Sequence, residues 1–168
     1  MKFDSYNTSN NLQDNLKYII YELESNPNFY ECDIGYEYTS FEESLKEFCD
    51  RDIRNCLENN ENEIAFDDLK SIIESINVIE SYMFYENFFR PVELLTYYLA
   101  KLILSSEGAM KNRVYNWMYI FIEENEDSMI SEEYFKPFIE GDGIYHADNY
   151  YTDYDDFKKV ISIYIKSI

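Results

Sequence analysis

Leu12, Leu16, Ile19, Ile20 and Leu23 recur three and four residues apart with polar side chains between them. That spacing lines one face of a helix. Asn10 is placed to cap it, with Gln13 as capping-box partner, and Pro27 closes the segment. The period then changes. Tyr30, Cys32, Ile34, Tyr36 and Tyr38 alternate with Glu31, Asp33, Gly35 and Glu37, a period of two that predicts a short strand or extended loop. Gly35 weakens the strand reading.

Ser40 followed by Glu43 is a second capping box. Phe41, Leu45, Phe48, Cys49, Ile53, Cys56 and Leu57 form the apolar stripe behind it. Glu47–Arg51 and Asp50–Arg54 are acid-to-base pairs four residues apart on the wet face. Asn59 to Asn62 is a polar break. A third helix starts at Asp67 or Asp68 and carries Leu69, Ile72, Ile73, Ile76, Ile79 and Met83. It has room to reach Phe88 and Phe89 but must end before Pro91, because a residue preceding proline disfavours the helical region. Pro91 suits the first turn of a fourth helix with Leu94, Leu95, Tyr98, Leu102 and Ile103, stopped by Gly108.

Val114, Trp117, Met118, Phe121 and Ile122 mark a fifth helix. Ser131 is placed to cap a short sixth through Tyr134, Phe135 and Phe138, ended by Gly141-Asp142-Gly143. Thr152 and Asp155 open a seventh with Phe157, Val160, Ile161, Tyr164 and Ile165. The pattern predicts an all-α fold, a single compact domain over 1–168 of six or seven helices. A minor two-stranded element pairing 30–38 with 144–151 fits as an addition. No repeat period points to a solenoid.

The length supports this, since 168 residues fit one core. Aromatic content of 18% excludes a disordered acidic tail. The N-terminus lacks the apolar run of a secretory signal, and Val92 to Leu104 is too short for a membrane span and is broken by Glu93 and Lys101. Three cysteines, Cys32, Cys49 and Cys56, form no disulfide pattern. Reduced thiols in a cytoplasmic protein are expected.

Charge changes the picture. The net charge is −20, unevenly spread. Residues 22–68 hold 15 acids and 3 bases, residues 70–122 hold 5 of each, and residues 123–156 hold 12 acids and 1 base. Such a chain is not expected to bind nucleic acid directly or an anionic membrane. In the second acidic block, Glu123, Glu124, Glu126 and Asp127 follow a predicted helix end, where the macrodipole disfavours anions. Further on, Tyr145, Tyr150, Tyr151 and Tyr154 are threaded through Asp148, Asp153, Asp155 and Asp156. Tyrosine amid carboxylates is the chemistry of a protein-binding surface for a basic partner. Tyr30, Tyr36 and Tyr38 repeat the mixture in the first block.

Catalytic chemistry is thin. The one histidine, His146, stands in a predicted loop beside Asp148. The cysteines have no spacing for a Cys–His nucleophile or for zinc. No window fits a calcium loop, and four glycines leave no phosphate cradle. Carboxylate pairs for glycoside hydrolysis carry no specificity among 34 acids. No cofactor, metal or enzymatic activity is expected.

The stretch Gly143-Ile144-Tyr145-His146-Ala147-Asp148-Asn149-Tyr150-Tyr151-Thr152-Asp153-Tyr154-Asp155-Asp156 resembles the tyrosine- and aspartate-rich binding region of the colicin and pyocin immunity proteins. Those small helical proteins also place a paired tyrosine and an acidic loop before their last helix. The same interface chemistry is shared with immunity proteins of contact-dependent inhibition systems. The resemblance implies an immunity protein that neutralises a basic toxin domain, such as a nuclease, in bacterial competition. Two other readings stay open: a DNA mimic that inhibits a DNA-binding protein, and a helical adaptor.

Overall fold

The computed structural model describes residues 11–25, 44–80, 89–105 and 108–140. Six helices run through them: α1 (Leu12–Ser25), α2 (44–58), α3 (Asn62–Glu80), α4 (Phe89–Ser105), α5 (Ala109–Glu124) and α6 (129–140). These residues are 90% helical and contain no strand, so the fold is all-α and compact. None of the described helices is long and apolar enough to cross a membrane. The pairing of 30–38 with 144–151, the seventh helix from Thr152, the Ser40–Glu43 box and Cys32 lie outside the described residues.

The central element is α4, which packs against α2, α3, α5 and α6, while α1 closes over α2 and α3. Every side chain from Val92 to Ala100 is buried, as are Leu102 and Ile103. The two charges that break this apolar run are accommodated differently. Glu93 is fully buried, whereas the Lys101 ammonium lies 4.6 Å from the Tyr97 ring centroid. Thr96 donates its hydroxyl back to the Val92 carbonyl at 2.8 Å, so its polar atom is satisfied within the helix.

The predicted stripes form the core. Leu16 and Ile19 of α1 are buried, as are Leu45, Phe48, Cys49, Ile53 and Cys56 of α2 and Leu69, Ile72, Ile73 and Ile76 of α3. Both α2 and α6 contain a π-helical segment, Phe48–Ile53 and Ile130–Phe135. In α2 the Arg54 amide donates to the Cys49 carbonyl five residues back. The wider turn lets Phe48 and Ile53, five apart, both face the core. Cys49 and Cys56 are free thiols inside it, and burial pushes both above the usual range, Cys56 to about 11. Each stays protonated and unreactive at neutral pH.

Several boundaries differ from the sequence pattern. The cap of α1 is Asn11, whose Oδ1 accepts from the Asp14 amide at 2.9 Å. The third helix begins at Asn62, five residues before the expected Asp67. Its predecessor ends in a tight reversal that uses only 59–61. Asn60 is left-handed (φ 59°), the Glu61 amide donates to the Cys56 carbonyl at 2.8 Å, and the Asn60 amide donates to the Leu57 carbonyl. This is a Schellman stop with asparagine where glycine is usual. Phe89, which the third helix had room to reach, opens α4 together with Arg90, and Pro91 lies in the first turn of α4 as the pattern predicts. α4 is described as far as Ser105, and 106–107, which precede the expected stop at Gly108, lie outside the described residues. Gly108 caps α5, and its carbonyl accepts from the Asn112 amide. The cap of α6 is Ser128, whose Oγ accepts from the Ser131 amide at 3.1 Å. Ser131 itself is buried in the first turn.

Candidate protein-binding face

Four of the acidic residues singled out from the sequence lie where α5 ends. Glu123 and Glu124 occupy its last turn, and Glu126 and Asp127 the turn leading to α6. All four are exposed. Asn125 fixes this corner. Its amide and its Nδ2 both donate to the Phe121 carbonyl at 2.9 Å, and its Oδ1 accepts from Asn77 Nδ2 of α3 at 2.9 Å. The Ser128 amide then donates to the Asn125 carbonyl at 3.0 Å and closes the turn. The carboxylates therefore project from a braced corner.

Their electrostatics are split. Glu123 and Glu124 face the negative end of the α5 dipole, an unfavourable placement. Glu126 and Asp127, expected to share that penalty, also stand just ahead of the α6 N-terminus, which favours anions. Glu132 and Glu133 in its first turn gain from the same end. No ion pair among the described residues involves Glu123, Glu124, Glu126 or Asp127.

The first acidic block differs on α2. Arg51 pairs with its neighbour Asp52 at 2.7 Å instead of the expected Glu47, its Nε and Nη2 donating to the two carboxylate oxygens. Arg54 pairs with Asp50 at 3.5 Å as the spacing predicts. Asp52 also accepts from Asn15 Nδ2 of α1 at 3.3 Å. Both ion pairs lie within α2, and Asp52 also ties that helix to α1.

Beside the acidic corner, α3 and α5 leave a groove of about 320 Å³ lined by Glu74, Asn77, Val78, Trp117, Ile120, Phe121, Glu124 and Asn125. Trp117 is its aromatic wall. The indole is held by Phe66 of α3, Phe121 of α5 and Phe135 of α6, with ring centroids 5.4–5.7 Å away, and its Nε1 donates to Glu74 Oε1 at 3.2 Å. Val78 is 68% exposed and Ile120 52%. Sequence reading missed this groove. Its signal was present: Val78 and Ile120 are apolar residues that fall out of phase with the core stripes of α3 and α5.

Tyr145, Asp148, Tyr150, Tyr151, Asp153, Tyr154, Asp155 and Asp156, with His146, lie outside the described residues. Among the described residues no group of three or more His, Cys, Asp or Glu side chains is placed to hold a metal ion. No family model, curated protein or solved structure matches the chain.

Proposed function

We propose that the protein is a stoichiometric inhibitor of the immunity type, which binds a basic toxin domain, such as a nuclease, through its second acidic block. One observation carries this reading. Glu123, Glu124, Glu126 and Asp127 are exposed and take part in no ion pair among the described residues, next to an apolar groove. Unpaired like charges repel, and a cationic partner relieves that repulsion. Nucleic-acid enzymes are cationic where they grip phosphates. An acidic face would be steered onto such a surface at up to ~10⁸–10⁹ M⁻¹s⁻¹ at low salt. The tyrosine- and aspartate-rich stretch from Tyr145 to Asp156 supplies the same chemistry in sequence.

The test is to express the product of the adjacent reading frame, assay it for toxicity, and titrate any basic domain in it against this protein by calorimetry. One-to-one binding that weakens with salt, together with loss of toxicity, is expected. Replacing Glu123, Glu124, Glu126 and Asp127 by lysine should abolish both. Full inhibition by that variant would remove the acidic corner from the interface. No binding by the unaltered protein would sink the inhibitor reading.

A further inference from the structure

We infer that the α3–α5 groove receives an apolar side chain of the partner, carried on a segment in which that side chain is flanked by lysine or arginine. This rests on the reading of the acidic corner as a protein-binding face and specifies how the partner is anchored there.

The groove combines three features. Its walls are apolar and wet: Val78 from α3 and Ile120 from α5 stand exposed on either side of Trp117 and Phe121. Its volume equals that of roughly ten liquid waters, enough for a side chain rather than a single solvent molecule. Its rim is anionic from both helices, with Glu74 on α3 and Glu124 on α5, and among the described residues no lysine or arginine lines it. Glu123, Glu126 and Asp127 extend that charge along the corner.

The occupant follows from complementarity. A neutral apolar segment laid here would strip water from Glu74 and Glu124 with no compensation. An acidic one would add repulsion. A basic segment brings a counter-charge to each carboxylate while its apolar side chain covers Val78, Ile120 and the indole. Asn77 adds a directional element. Its Oδ1 is buried at the groove with no donor reaching it among the described residues, and a side-chain or backbone N–H from the occupant would satisfy it.

Trp117 is the only tryptophan in the chain, so its emission reports the groove directly. The probes are two synthetic helical peptides with identical leucines, one with lysine at all other positions and one with glutamate. The lysine peptide is expected to shift Trp117 emission saturably and one-to-one, and the glutamate peptide to leave it unchanged. Val78→Asp with Ile120→Asp should lower the lysine peptide's affinity about tenfold or more. Both sites are exposed, and circular dichroism checks that the fold survives. Glu74→Gln with Glu124→Gln should weaken binding and flatten its salt dependence. Equal responses to both peptides, or none to either, would overturn the inference. So would tryptophan emission that changes with protein concentration alongside a dimer in sedimentation, since a second copy would then fill the groove. A natural basic partner lost by the four-lysine variant but kept by Val78→Asp with Ile120→Asp would overturn the anchor and leave the acidic face standing. Loss of that partner from neither variant would overturn both.

Discussion

The Tyr98 hydroxyl donates to Asp50 Oδ1 at 2.6 Å, joining the middle of α4 to the π segment of α2 across 48 residues of chain. Arg54 approaches the same carboxylate oxygen at 3.5 Å. Burial, reinforced by the bond to Asp50, holds the phenol well above its usual titration range, so it remains a donor at all ordinary pH. Tyr98→Phe keeps the packing and removes only the bond. The expected cost is about 1.5–3 kcal/mol, as for a hydrogen bond to a charged acceptor. A lowered urea midpoint with an unchanged slope would show it, and an unchanged midpoint would show that the bond contributes nothing net.

Asp68 of α3 is only 3% exposed, and its Oδ2 has no hydrogen-bond partner among the described residues. Burial, with Asp67 and Asp52 nearby, raises its carboxyl from 3.8 to about 6. The folded state therefore binds the proton more tightly than the unfolded chain. Asp68 stabilises fully below about pH 4, and that contribution is lost as pH rises through about 6. At pH 7 the buried charge costs on the order of 1–3 kcal/mol. Asp68→Asn is expected to raise the melting temperature at pH 7, with the advantage shrinking toward pH 4. An advantage independent of pH would contradict the assignment.

Asn60 holds the left-handed position of the α2 stop. Glycine adopts that conformation without penalty, and a β-branched residue does so at a cost of roughly 1–2 kcal/mol. Asn60→Gly should leave thermal stability level or slightly higher, and Asn60→Val should lower it. Equal stability for the two would mean the turn relaxes to another geometry.

Tyr150→Ala with Tyr151→Ala probes the sequence resemblance independently of the α5 corner. An interface built on the paired tyrosines loses about tenfold or more in affinity for the basic partner while the melting temperature holds. Unchanged affinity would confine the interface to Glu123, Glu124, Glu126 and Asp127 and the groove beside them.

Long-period features were legible and local chemistry less so. The stripes of α1 to α6 were readable because burial imposes a 3.6-residue period on the apolar positions, and α4 announced itself by an almost unbroken apolar run. Helix ends were displaced because capping depends on which of several polar neighbours reaches the free amides. Asn10 and Asn11, or Ser128 and Ser131, are equivalent in composition and distinguished only by geometry. Arg51 was assigned to Glu47 because spacing does not show that the adjacent Asp52 reaches two nitrogens of the same guanidinium. The acidic corner was visible as a charge run. The groove beside it was not, because it is formed by α3 and α5 side chains more than 35 residues apart in sequence.

The π segments of α2 and α6 have a consequence for how this chain tolerates change in length. A π turn holds one residue more than an α turn, so each segment amounts to a single-residue insertion stored inside a continuous helix. Removing one residue from 48–53 lets the helix close as plain α and leaves its two flanks facing nearly as before, because the wider turn had already absorbed the extra residue. Leu45 and Cys56, both buried, would still face the core together. The two π segments are thus sites where a one-residue deletion spares both the secondary structure and the register between its halves, whereas the same deletion in a plain α stretch turns one half against the other by about 100°.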